Sequence, residues 1–423
     1  MFEGLIAAFK NFDLRKKILF TVMILLLYRV GALIPVPFVD TTMLGSVFQN
    51  SGLTDMLNIM SGGALQNAAL FAMGISPYIN ASIIVQLLTI AIPALERLKK
   101  AEDGQKKINK ITRYLTVALG LVMGYGYYTI LDNAMGVLTQ KTFFTALIVV
   151  FAFTAGSALV MWMAEKIDEH GIGNGISMIL FAGILSQGPA IVSWVVSSVK
   201  EGKFVGPVLV LVIGLLMIAG IVWVNGAERR IPVQYAKRVV GRKMYGGNQT
   251  HLPMKVLMTG VMPIIFANSI VTIPATIKMF LNVPEKGFWA GFFGLFEATS
   301  WVYVVLTLLL IVAFAYFYTA ISFNPIEISN NLKKNGGFIP GIRPGKPTAE
   351  YITRILNRIT LIGAICLGII AVVPMVANII AGGNLGALAF SGNSIIIVVG
   401  VLLETTREIE SQLSTHHYKG FLE

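Results

Sequence analysis

Val205-Gly-Pro-Val-Leu-Val-Leu-Val-Ile-Gly-Leu-Leu-Met-Ile-Ala-Gly-Ile-Val-Trp-Val-Asn225 runs for 21 residues without a charged side chain. At about 1.5 Å per residue, a helix of that length reaches about 30 Å, the thickness of a bilayer's hydrocarbon core. Nine further stretches read alike, near 18–36, 68–92, 114–132, 143–164, 174–197, 256–277, 302–323, 358–380 and 388–406, which makes ten spans. Barrel strands would alternate apolar and polar residues, and these runs do not. In lipid each helix satisfies its own backbone groups, so the expected fold is an all-α polytopic membrane protein with ten transmembrane helices.

Composition excludes the soluble classes. The chain has 423 residues, 55% hydrophobic and only 13% charged, against about 25% charged in soluble domains. Its mean hydropathy is +0.75, and a soluble fold has too much surface to hide that apolar content. A single cysteine, Cys366, excludes a disulfide scaffold. Low charge excludes disorder. A net charge of +12 would suit nucleic acid if it lay on one soluble face, but here it follows topology. Segments on the N-terminal side of the membrane hold 27 Lys and Arg, and the opposite loops hold 5. That split places both termini in the cytoplasm. The first span has the basic flank of a signal peptide, yet Arg29 interrupts it and no A-x-A site follows, so cleavage is not expected.

The span interiors are nearly free of ionisable groups. Besides Arg29, the only charged residues in the ten stretches are Asp132, Arg358 and Glu404, at or near a helix end, with Arg407 just beyond. Proton-coupled carriers and pumps use buried Asp, Glu, Lys or His as relays, and the spans offer none. HExxH, GxSxG and GxxxxGK[ST] are missing from the sequence. His170, His251, His416 and His417 fall in cytoplasmic loops or the tail, and the pair His416–His417 reads as a solvated tail rather than a metal site. No enzyme activity, metal or cofactor is expected, and function must come from shape and passage.

Two spans share a pattern. Gly74-Ile-Ser-Pro77-Tyr-Ile79 and Gly260-Val-Met-Pro263-Ile-Ile265 are both G-x-x-P-x-I, and each lies in the second span of its half. Paired Gly/Pro-interrupted spans in matching positions point to the central pathway of an inverted-repeat fold, although Gly and Pro are frequent in membrane helices. Between spans one and two, Leu53, Met56, Leu57, Met60 and Ala64 recur at helical spacing before Ser61-Gly62-Gly63 breaks the run. So short a helix cannot span. It reads either as an interfacial helix or as a re-entrant piece in a cavity. The cytoplasmic loops 226–255 and 324–351 exceed simple connectors. Their basic tips, Lys237-Arg238, Arg242-Lys243 and Arg343, suit an acidic partner or ribosomal RNA, or else ordinary topogenic charge.

Four motifs carry a resemblance. Ser76-Pro-Tyr-Ile-Asn-Ala-Ser-Ile83, Gly171-Ile-Gly-Asn-Gly-Ile-Ser177, Tyr318-Thr-Ala-Ile-Ser-Phe-Asn-Pro325 and Asn331-Leu-Lys-Lys with Phe338-Ile-Pro-Gly-Ile-Arg-Pro-Gly345 resemble the bacterial SecY family, the channel subunit of the Sec protein translocon. The likeness runs in order from the basic N-terminal segment to the tenth span.

The resemblance implies two pseudo-symmetric inverted halves, 1–200 and 201–423, around a central pore that opens sideways to lipid between spans two and seven. By motif position the pore ring would be Ile79, Ile83, Ile176, Leu180, Ile265 and Ile397, with Leu180 where many relatives have isoleucine. Periodicity alone would not select them. A plug near 54–66 would include Thr54, Met56, Leu57, Ile59, Met60, Ser61, Gly62, Gly63, Ala64 and Leu65. The lateral gate would include Pro77, Ile83, Gln86, Pro263, Asn268 and Ile273, where Gln86 and Asn268 either tune opening or simply bond between helices. A narrow apolar constriction excludes ions by dewetting. Lys237, Arg238, Arg242, Lys243 and Arg343 would dock the SecA ATPase or a ribosome. SecE and SecG are the implied subunits, signal sequences and unfolded polypeptides the substrates, and the bacterial plasma (inner) membrane the location. A secondary solute transporter is the alternative, and it would call for the intramembrane charges that the spans lack.

Overall fold

In a computed structural model the protein is described at residues 9–40, 63–65, 67–133, 137–138, 140–202, 204–235, 238–240, 243–245, 249–258, 260–280, 287–296, 300–380 and 386–419. The first part of the chain gives helices α1 (Phe12–Gly31), α2 (Ser76–Ala91), α3 (Pro93–Lys100), α4 (Gly104–Asn133), α5 (Phe143–His170), α6 (Gly175–Leu185), α7 (Gly188–Lys200) and α8 (Val205–Gly226). Four short strands follow, β1 (Glu228–Tyr235), β2 (Arg238–Val240), β3 (Lys243–Tyr245) and β4 (Gln249–Lys255). The remainder is α9 (Met262–Val271), α10 (Ile273–Phe280), α11 (Phe288–Gly294), α12 (Trp301–Ser322), α13 (Pro325–Lys334), β5 (Gly337–Phe338), α14 (Lys346–Ile380) and α15 (Gly386–Lys419).

Each of the ten apolar stretches contains a helix. Among the described residues, five helices are long and apolar enough to cross a membrane by themselves, and the bent pair α2–α3 would make a sixth. The bend is 102° and falls at Ile92, whose successor Pro93 opens α3. Proline cannot donate to the preceding turn, so the first helix stops there. The stretch 174–197 is two helices rather than one. Ser186 and Gln187 separate α6 from α7, and Pro189 lies in the first turn of α7.

The fold is mostly helical, but it departs from the all-α expectation in the segments read as loops 226–255 and 324–351. Their strands form a sheet in the order β4-β1-β5, with Ile231 opposite Leu252 and Gln234 opposite Phe338. On β1 the buried side chains Ile231 and Val233 alternate with exposed neighbours, as a half-buried strand requires. They join Met254, Leu332, Ile339, Ile352 and Leu356 in one apolar cluster, so the two long segments share a core. Pro232 is tolerated in the middle strand because β5 pairs only with Gln234 and Tyr235, leaving Pro232 a neighbour on one side.

Close helix packing relies on small residues at particular places. A Cβ on Gly156 of α5 would overlap the Leu70 carbonyl oxygen, and one on Gly175 of α6 would overlap the Ala164 carbonyl oxygen. Membrane helices approach most closely where side chains are smallest.

Candidate functional site

The two G-x-x-P-x-I motifs adopt the same local structure. Gly74 has φ +52° and Gly260 φ +60°, left-handed conformations that glycine takes without strain. Further along each motif, Pro77 and Pro263 occupy the first turns of α2 and α9, where a missing N–H costs nothing. The Ile79 N–H then donates to the Ile75 carbonyl at 3.1 Å, and the Ile265 N–H to the Val261 carbonyl at 3.2 Å. Both isoleucines are buried, and α2 packs against α9.

Ile79 and Ile83 of α2, Ile176 and Leu180 of α6, Ile265 of α9 and Ile397 of α15 all fall within the largest apolar cluster of the described residues. Each is less than a tenth exposed, from 0% at Ile79 to 8% at Ile176. Four helices separated widely in sequence thus bring six aliphatic side chains into one cluster. α6 is aimed by its approach loop: the Asn174 side chain caps it by accepting from the Ser177 N–H at 3.1 Å, and the Asp168 carboxylate accepts from the Gly175 N–H at 2.7 Å. The loop is fastened on two further sides. Thr21 Oγ1 of α1 accepts from the Ile172 N–H at 3.0 Å, and Glu408 Oε2 of α15 accepts from the Gly173 N–H at 2.9 Å. Gln412 extends the network, donating to Glu408 and accepting from Lys17. Asp168, past the end of the apolar stretch 143–164, stands among Glu165, Glu169 and Glu408. Burial, ahead of those charges, holds its carboxyl above the usual carboxylate range, while the Gly175 N–H pulls the other way.

Of the expected gate residues, Pro77, Ile83, Pro263 and Asn268 are buried, Gln86 is half-buried and Ile273 is exposed. Gln86 finds its partner on α12: Tyr318 Oη donates to Gln86 Oε1 at 2.8 Å, and Gln86 Nε2 donates to Ser82 Oγ at 3.1 Å. Phe266 of α9 backs this bridge, its ring centroid 4.9 Å from that of Tyr318 and 6.1 Å from Phe314. Tyr318 opens one of the four motifs, but nothing in the sequence gives it this role, because its partner lies 232 positions away.

Of the expected plug, Thr54, Met56, Leu57, Ile59, Met60, Ser61 and Gly62 lie outside the described residues. Gly63 has φ +84°. Ala64 is buried with Ala32 and Ala69, and Leu65 packs in a cluster with Tyr127 and Phe153.

Of the expected docking residues, Lys237 and Arg242 also lie outside the described residues. Arg238 and Lys243 belong to the β2–β3 hairpin, opposite Tyr245 and Val240. Arg343 is exposed on a turn with left-handed Gly341 and Gly345. The turn is held by two hydroxyls, Ser329 donating to the Gly345 carbonyl and Thr348 to the Arg343 carbonyl, at 2.7 and 2.8 Å.

One more tie is invisible in the sequence. Arg407 of α15 donates to Asn225 Oδ1 at 2.7 Å and to the Asn225 carbonyl at 2.6 Å, closing the last turn of α8. Among the described residues no three His, Cys, Asp or Glu side chains converge as a metal site would need.

The SecY family model matches residues 69–406. The protein translocase subunit SecY of Streptomyces scabiei is 45% identical over 443 aligned residues, covering 100% of both chains. That of Mycobacterium tuberculosis H37Rv is 42% identical, again over 100% of both. Among solved structures, a protein-conducting channel aligns with TM-score 0.66 and 17% identity over 94% of this chain and 92% of that one. Sec61 of the canine ribosome–channel complex aligns with TM-score 0.62 and 16% identity over the same shares. The chain belongs to the SecY family.

Proposed function

We propose that this protein is the channel subunit of a protein translocase. It passes unfolded secretory polypeptides across the membrane and releases transmembrane segments sideways into lipid. The observation that carries this reading is that six aliphatic side chains from α2, α6, α9 and α15 are buried together within the largest apolar cluster of the described residues. A closed aliphatic constriction needs no charged gate to exclude ions, since a narrow apolar passage dewets. Flexible side chains can still yield around an extended polypeptide. Full-length likeness to translocase SecY subunits supports the reading.

The protein would have ten spans in two inverted halves, 1–200 and 201–423, with both termini cytoplasmic in a bacterial inner membrane. The matched backbone at Gly74 and Gly260 supports the inverted relation, because α2 leads toward the basic 93–113 segment and α9 leads away from the basic 226–255 segment. The plug near 54–66 would rest against the constriction when no chain is passing. The seam between α2 and α9–α10 would be the lateral exit. There, apolar segments partition into lipid with a gain of about 25 cal/mol per Å² buried. Work comes from partners, SecA or a translating ribosome, docking on the β2–β3 hairpin and Arg343, with SecE and SecG as accessory subunits. A ribosome-bound Sec61 relative supports the ribosome as partner. A solute transporter has no observation in its favour.

Single-channel conductance tests the constriction. Ile83→Asn and Ile397→Asn are expected to raise resting ion leak severalfold in planar bilayers and to admit precursors with weakened signal sequences. Unchanged conductance in both variants would remove the ring assignment.

A further inference from the structure

The chain between α10 and α12 carries an unusual short helix. α11 covers Phe288–Gly294, and the nine residues from 288 to 296 read Phe-Trp-Ala-Gly-Phe-Phe-Gly-Leu-Phe, with no charge and five aromatic rings. At this length it cannot cross a bilayer. Its rings form a continuous pavement: Phe288 against Trp289 at 5.9 Å, Trp289 against Phe292 and Phe293 at 6.2 Å each, and Phe292 against Phe296 at 5.4 Å. Phe293 is buried, while Phe288, Trp289, Phe292 and Leu295 are 80%, 57%, 40% and 44% exposed. The opposite side carries Gly291 and Gly294, where an added Cβ would meet nothing within 4 Å. The helix therefore has one broad aromatic side and one thin, open side.

We infer that α11 lies in the bilayer interface opposite the face bearing the three-stranded sheet, its aromatic side seated among lipid headgroups and upper acyl chains, and that it moors α9–α10 to that leaflet. Two observations select lipid as the occupant. Trp concentrates at membrane–water boundaries, where its apolar body and its polar N–H are both satisfied, and Trp289 stands there among phenylalanines suited to the upper acyl chains. The membrane boundary is also marked nearby in the chain: α12, one of the candidate spans, begins at Trp301, itself 57% exposed and only seven residues after α11 ends. On the other side, α10 contacts α11 directly. A rim against a soluble partner would carry polar side chains, and this stretch has none. The inference rests on the membrane reading of the fold and is independent of what passes through the pore.

Fluorescence quenching tests it. In a variant retaining only Trp289, with Trp162, Trp194, Trp223 and Trp301 each replaced by Phe, the protein is reconstituted in phosphatidylcholine–phosphatidylglycerol vesicles. Lipids brominated at the 6,7 positions should quench Trp289 at least twofold more than lipids brominated at 11,12, and aqueous iodide should quench it weakly. Strong iodide quenching without bromolipid quenching would put α11 in water and overturn the inference. Absence of quenching by either would bury it against protein and overturn the inference equally. Should that variant fold poorly, a nitroxide spin label at Trp289→Cys in a Cys366→Ser background, with every other Trp kept, reads the same depth: oxygen should relax it more than an aqueous nickel chelate, and the reverse would overturn the inference.

Discussion

Tyr318 donates its hydroxyl hydrogen to Gln86 Oε1 at 2.8 Å, joining two helices whose contact residues stand 232 positions apart. Gln86 is held in turn by Ser82 one helical turn earlier, so α2 presents a fixed acceptor to α12. Any sideways parting of α2 from the α9–α12 group must break this bond. Hydrogen bonds between membrane helices contribute about 0.6 kcal/mol on average and about 1.7 at most.

A double-mutant cycle checks that bond. Tyr318→Phe and Gln86→Leu should each lower the barrier to lateral opening, seen as increased export of precursors with defective signals. Their combination should do little more than either alone, with a coupling energy of about 0.6–1.7 kcal/mol. Strictly additive effects would mean that the two side chains act separately.

Arg407 holds Asn225 by two bonds, 2.7 Å to the side chain and 2.6 Å to the backbone carbonyl. Asn225 is only 8% exposed, so Arg407→Ala leaves a buried amide and a helix-terminal carbonyl unpaired. The expected cost is about 1–3 kcal/mol, read as a lower thermal midpoint in detergent, with Arg407→Lys recovering part of it. An unchanged midpoint for Arg407→Ala would show that water replaces both bonds at no cost.

Asp168 gives a pH dependence whose sign follows from its raised carboxyl pKa, caused first by burial. The folded state holds the proton more tightly than the unfolded state. The stability it contributes is therefore complete below the unfolded pKa and is lost as pH rises through the folded one. Asp168→Asn removes the buried charge and keeps an acceptor for the Gly175 N–H. Its thermal midpoint should equal or exceed that of the natural protein at pH 7.5, and the advantage should vanish near pH 4. A variant less stable at pH 7.5 than the natural protein would contradict this reading.

The helical architecture is legible in the sequence because an apolar run of bilayer length, as at 205–225, 143–164 or 302–323, is satisfied in lipid only as a helix. The break between Leu185 and Gly188 is signalled by Gly188-Pro189 but hidden by the apolar residues on both sides. The sheet also leaves a trace, the alternation of Ile231, Val233 and Tyr235, yet its third strand pairs Gln234 with Phe338. No local pattern announces a partner that distant. The expected ring positions rest on resemblance alone, since an isoleucine facing lipid and one facing inward look identical in a run. Polar ties such as Arg407 to Asn225 and Glu408 to the Gly173 N–H are illegible for the same reason as the sheet. Each depends on which helices become neighbours.

Photocrosslinking tests the central claim that polypeptide passes through the aliphatic cluster. A photoreactive residue is placed at Ile83, 4% exposed within the cluster, and a control at Leu309, 59% exposed on α12. With the motor ATPase supplied and a secretory precursor stalled halfway, crosslinks are expected from position 83 to the middle of the precursor and none from position 309. Crosslinks from both, or from 309 alone, would place the polypeptide along the lipid-facing side and contradict a central channel. Silence at position 83 under active translocation would contradict it equally.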